Sequence, residues 1–161
     1  SLRRQRQMCI RDSYIRQYAL NTEGGVGAGR YRGGFGAVRE FEIRADEAST
    51  YASYGRTREP PWGLKGGDEG SCNFLEIASD EARERIFRIP FRTLKPGDRL
   101  KIVTGGGGGY GDAYTRPPEE VRDDVLNDYI TPEIARDRYG VALNTDLSLD
   151  VPSTQALRET R

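Results

Sequence analysis

The 161-residue chain balances 25 basic against 25 acidic residues, has no histidine and is 35% hydrophobic. Zero formal charge leaves no electrostatic footprint for a nucleic-acid polyanion, and no apolar run approaches the roughly 18 residues of a membrane span. Without imidazole, Ser-His-Asp triads, Cys-His dyads and most zinc sites are excluded within these residues.

In chain order, residues 1–13 read Ser-Leu-Arg-Arg-Gln-Arg-Gln-Met-Cys-Ile-Arg-Asp-Ser. As protein this is a basic arm with too little apolar content for a signal-peptide core. It also reads as the in-frame translation of a transposase sequencing adapter, and that is the reading adopted. The expectation is then a fragment whose upstream part is missing, with Met8 no start and Cys72 the single genuine cysteine. Setting aside Arg3, Arg4, Arg6, Arg11 and Asp12 leaves 21 basic and 24 acidic residues. One cysteine offers no disulfide and fits a reducing, cytoplasmic setting.

Ser13 to Leu20 is expected as a strand. Asn21 to Gly36 holds seven glycines in sixteen residues, too many for a helix. Dinucleotide and P-loop patterns both fail there. Arg30 and Arg32 stand where G-x-G-x-x-G needs glycine, and no lysine follows a glycine. The two arginines would clamp an anion bidentately or pair with nearby acids. Phe35 to Arg44 alternates as a strand, and Thr50 to Arg58 is expected as its hairpin partner across Ala45–Ser49. Trp62, after Pro60-Pro61, is expected in the core. Ser71–Ile77 and Ile86–Ile89 read as strands, the second ended by Pro90. Cys72 is expected as a small buried hydrophobe. Lys95-Pro96-Gly97-Asp98 suits a type II turn, and Arg99–Thr104 alternates into Gly105–Gly109.

Two proline-started helical segments follow. From Thr115-Arg116-Pro117-Pro118, an apolar face is expected of Val121, Val125, Leu126, Tyr129 and Ile130. Thr131-Pro132 is an N-cap with proline at N1, and Gly140 a stop. Val141–Leu143 reads as a short strand and Asp150-Val151-Pro152 as the cap of a last helix. The fold class is therefore α+β: mainly antiparallel β over 14–112, with a short α-helical tail over 113–161.

Five blocks stand in fixed order: Gly-Ala-Gly-Arg-Tyr-Arg-Gly-Gly-Phe-Gly (27–36), Pro-Pro-Trp-Gly-Leu-Lys-Gly-Gly (60–67), Leu-Lys-Pro-Gly-Asp (94–98), Thr-Gly-Gly-Gly-Gly-Gly-Tyr-Gly-Asp (104–112) and Ile-Thr-Pro-Glu-Ile-Ala-Arg-Asp-Arg-Tyr-Gly-Val (130–141). The series resembles the C-terminal part of the hydantoinase B/5-oxoprolinase family, which includes the α subunit of acetone carboxylase. The resemblance implies the B-type part of a larger enzyme that hydrolyses a small cyclic amide activated by an A-type partner. Ketone carboxylation, or a non-catalytic assembly module, is the alternative. It implies ATP and a divalent metal in the complete enzyme, no cofactor or metal on this stretch, and no catalysis by the stretch alone. Arg30, Arg32 and Asp112 match family blocks and are the candidate catalytic residues. Gly106, Gly107, Gly108 and Gly109 would cradle a substrate or anion with backbone N–H groups. In the competing reading these glycines let chain segments pack closely, with Tyr110 and Asp112 packing and capping just after.

Overall fold

The computed structural model describes residues 12–79 and 82–160; the adapter-like stretch through Arg11 lies outside them. Against a division at 112/113, two compact units interleave in sequence. The first takes residues through 21, 36–59 and 72–104, and the second takes 22–35, 60–71 and 105–161. The expected class is observed: antiparallel sheets and three short helices.

The first unit holds seven strands: β1 (Ser13–Asn21), β2 (Gly36–Ile43), β3 (Ala48–Ser53), β4 (Phe74–Ala78), β5 (Arg83–Ile86), β6 (Arg88–Leu94) and β7 (Arg99–Val103). Five form one sheet in the order β1-β2-β7-β4-β5, and β3 pairs with β6 in a second. The expected hairpin between Phe35–Arg44 and Thr50–Arg58 does not form. Both edges of β2 are taken, one by β1 and the other by β7. The β7 pairing sets Glu40 against Lys101 and Glu42 against Arg99, opposite-charge pairs that favour this register. Nor does Pro90 end a strand, because β6 runs through it. Thr50 pairs with Arg92 and Ala52 with Ile89, so Pro90 and Phe91 stand opposite Tyr51 in a bulge. A bulge on an edge strand is where proline is tolerated. Lys95–Asp98 makes its turn as expected: Gly97 has φ +91°, and the Asp98 amide donates to the Lys95 carbonyl at 3.1 Å.

The core of this unit follows from alternation. Ile43, Leu75 and Ile77 are buried with Leu94 of the second sheet, and Ile86, Leu100, Ile102, Ala48, Ala52 and Tyr54 pack around them. On the opposite face of the large sheet, Glu40, Lys101 and Glu76 stand side by side across three strands. Cys72 is a half-buried free thiol rather than a fully buried one.

The second unit carries the helices α1 (Pro118–Leu126), α2 (Pro132–Tyr139) and α3 (Val151–Glu159), with a 3-10 turn at Ala113–Thr115. Val121, Val125, Ile130, Ala135, Tyr139 and Val141 are buried with Ala28 and Ala113. Leu126, expected on the apolar face, is exposed. At 100° per residue it points well away from Val121, whereas Val125 lies close to it. Helix α1 ends there, and Asp128 at φ +57° turns the chain back. The remaining caps follow the sequence. Thr131 accepts from the Ile134 amide, Gly140 takes φ +61°, and Asp150 accepts from the Ser153 amide. Val141–Leu143 is reduced to one bridge, between Leu143 and Leu149.

Candidate functional site

Three glycine-rich segments of the second unit, 24–34, 61–71 and 105–111, run against one another with almost no side chain between them. Gly27 N–H donates to Gly107 O at 2.9 Å, and Gly107 N–H donates to Gly34 O at 2.9 Å. Gly109 N–H donates to Asp68 O at 2.9 Å, while Leu64 N–H donates to Gly109 O at the same distance. The Ser71 hydroxyl accepts from the Gly106 amide at 2.8 Å and donates to Gly25 O at 3.0 Å. These bonds answer the accounting that buried peptide groups demand.

The glycines are required sterically. A Cβ at Gly33 would overlap the Gly107 carbonyl, one at Gly108 the Trp62 carbonyl, and one at Gly109 the Ala28 carbonyl. Gly27, Gly63, Gly67, Gly70 and Gly106 would likewise drive a Cβ into neighbouring backbone. The structure therefore brings Gly106, Gly108 and Gly109 into a close-packed backbone core, while a Cβ at Gly107 would meet its nearest backbone atom at 3.5 Å, an ordinary contact. The amides of Gly106, Gly107 and Gly109 donate within it.

A core made of backbone throws the large side chains outward. Trp62, expected inside, is 65% exposed; its carbonyl is the part packed against Gly108. Tyr31, Leu64 and Tyr110 are exposed as well. Tyr31 and Tyr110 exchange backbone hydrogen bonds at 3.0 and 2.9 Å, and their rings lie 6.3 Å apart. Lys65 Nζ sits 5.8 Å from the Tyr110 ring centroid.

The three sequence candidates fall in different places. Asp112 caps the 3-10 turn, accepting from the Tyr114 amide at 3.0 Å. Arg30 donates Nη1–H to the Thr115 carbonyl. Arg32 points elsewhere: its Nε and Nη2 donate to both oxygens of Asp124, at 2.9 and 3.2 Å. Its guanidinium also lies over the Phe35 and Tyr129 rings, at 4.9 and 5.4 Å.

Asp124 joins a second arginine. Arg116 Nη2 lies 3.0 Å from Asp124 Oδ2, with both side chains 9% exposed, and Glu120 adds a carboxylate at 3.6 Å. A desolvated carboxylate held between two guanidiniums is a strong positional constraint. Removing one partner leaves an uncompensated buried charge. Arg158 closes the network, donating to the carbonyls of Arg116 and Tyr139 at 2.8 and 3.2 Å. Its pKa is lowered by burial, with Glu119, Asp112 and Tyr114 opposing. Asp124 and Arg116 were missed in the sequence. The signal was present, because an acid three residues after Val121 falls on the apolar stripe of α1 and must find a partner there.

The second unit thus combines a glycine backbone core with a buried carboxylate braced by two guanidiniums. The hydantoinase B/oxoprolinase family pattern matches residues 12–113, and the chain belongs to that family. It is 34% identical over 81% of its length to a protein from a Pseudomonas species described as the putative B-type subunit of a D-/L-hydantoinase, spanning 22% of that protein. It is 34% identical over 89% of its length to the β subunit of caprolactamase from Pseudomonas jessenii, spanning 26% of it. The crystal structure of the ATP-dependent caprolactamase from that organism superposes with a TM-score of 0.78 at 32% identity, over 92% of this chain and 26% of that one. A nucleotide-free acetone carboxylase structure gives 0.74 at 19% identity, covering 92% of this chain and 24% of that one, a likeness of fold. The chain thus spans about a quarter of the relatives it matches. Among the described residues no helix is long and apolar enough to cross a membrane.

Proposed function

We propose that this chain is part of the B-type subunit of an ATP-dependent cyclic-amide hydrolase that works with an A-type partner. The observation that carries this reading is the likeness to caprolactamase in sequence and fold over nine-tenths of the chain. Nitrogen donation makes a lactam carbonyl a weak electrophile, and phosphorylation of its oxygen by ATP would activate the carbon for attack by water, after which the C–N bond breaks and the ring nitrogen leaves as an amine. The residues here do not fit ATP or a divalent metal. There is no Gly-Lys-Ser/Thr loop and no histidine, and no group of three His, Cys, Asp or Glu side chains stands together among the described residues. In this reading other parts of the complete enzyme, a cytoplasmic hetero-oligomer, supply the nucleotide, metal and bond-breaking groups.

In this reading the contribution of the chain is positional. Arg32 holds Asp124, Asp112 caps a turn, and Gly106–Gly109 pack backbone on backbone. The test is substrate-dependent ADP release by the complete subunit together with its A-type partner, offered hydantoin, 5-oxoproline and caprolactam. Turnover with at least one is expected, and none from the 161-residue chain alone. Absence of turnover with all three would sink the reading.

A further inference from the structure

The core face of the large sheet does not stop where its cover stops. Leu75 and Ile77 of β4 stand opposite Ile102 and Leu100 of β7, and these stand opposite Arg39 and Phe41 of β2. The next residues across, on β1, are Tyr18 and Ile15, with Leu20 opposite Ala37. Directly opposite residues in a sheet share a face, so Ile15, Tyr18 and Leu20 lie on the face that buries Leu75 and Ile77; the line Ile77–Leu100–Phe41–Ile15 is apolar throughout, and the exposed Arg39 interrupts the line that ends at Tyr18. Leu94, Ala48 and Ala52 of the small sheet close over the β4–β7 portion. Over β1 the small sheet gives no such cover: the Arg39 guanidinium lies 5.1 Å from the Tyr18 ring centroid, and Ile15, Tyr18 and Leu20 are still 57%, 70% and 50% exposed. A concave space of about 260 Å³ is lined there by Tyr18, Ala19, Leu20 and Ala37. β1 is also the last strand of its sheet, so among the described residues its outer edge meets no further strand.

An edge strand with large apolar side chains half or more exposed on its core face is an aggregation hazard that folded proteins cover. The chain spans 22% of the hydantoinase subunit and 26% of the caprolactamase subunit, so a homologous subunit of that length has ample polypeptide to cover it. We propose that β1 is an internal docking strand. Its outer edge and its Ile15–Tyr18–Leu20 row receive an apolar β-strand from the same, longer subunit, which extends the sheet and completes the core. The inference rests on family membership and not on the reaction, so its test reads no catalysis.

The experiment is hydroxyl-radical footprinting of Tyr18 and Ile15 in the longer subunit, purified across a concentration series, with the urea-unfolded subunit as reference. Labelling at one-tenth or less of the unfolded rate is expected, unchanged from dimeric to monomeric concentrations. Labelling near the unfolded rate would overturn the proposal. Protection that vanishes on dilution would overturn it too, in favour of a second copy as the occupant. So would a source gene that encodes no polypeptide beyond this chain.

Discussion

Gly33 and Gly34 are neighbours with opposite obligations. A Cβ on Gly33 would strike the Gly107 carbonyl, whereas one on Gly34 meets nothing within 4 Å. Gly33→Ala should therefore cost about 3 kcal/mol, the upper end of ordinary overpacking, because its neighbour is backbone and cannot rotate away. Gly34→Ala should be neutral or stabilise by about 0.5 kcal/mol through the unfolded chain. Urea unfolding of the two variants checks this, and equal midpoints would contradict the close-packed core. The same logic explains why Asp124 sits on an apolar stripe. Two guanidiniums compensate its charge, Arg32 donating to both of its oxygens and Arg116 lying 3.0 Å from one of them.

At the scale of elements, α2 brings a titration into the packing. Tyr139 is fully buried, and burial raises its hydroxyl pKa. Arg116, Arg32 and Arg138 pull it down and Asp124 pushes it up, without cancelling the burial effect. A raised folded pKa means the unfolded chain ionises first. The contribution of this group is intact below about pH 10 and is lost as pH rises through the folded value. Tyr139→Phe should remove that dependence, so the variant should gain stability relative to wild type as pH rises above about 10. Parallel denaturation curves for the two proteins above that pH would contradict it. Caps, turns and most strands were legible in the chain because proline, glycine, Thr131 and Asp150 act locally. Pairing was not. The choice of β7 over β3 as the neighbour of β2 is favoured by cross-strand charges far along the chain, Lys101 for Glu40 and Arg99 for Glu42, and no local pattern announces it. Trp62 was misread for a related reason. Hydropathy places large apolar side chains inside, but a glycine core buries its own backbone and leaves them out.

At the scale of the whole molecule, architecture constrains chemistry only loosely, since one fold hosts several reactions. The caprolactamase and acetone carboxylase structures cover this chain equally, at 92%, and with similar TM-scores of 0.78 and 0.74. Shape therefore does not separate amide hydrolysis from ketone carboxylation. Sequence identity is 32% to the first and 19% to the second. The distinguishing reagent is bicarbonate, which carboxylation consumes and lactam hydrolysis does not. ATP turnover by the complete enzyme should rise with a cyclic amide and stay unchanged when dissolved carbon dioxide and bicarbonate are stripped away. Turnover that requires acetone together with bicarbonate, and ignores every cyclic amide, would move this chain to the carboxylase branch while leaving its fold and family untouched.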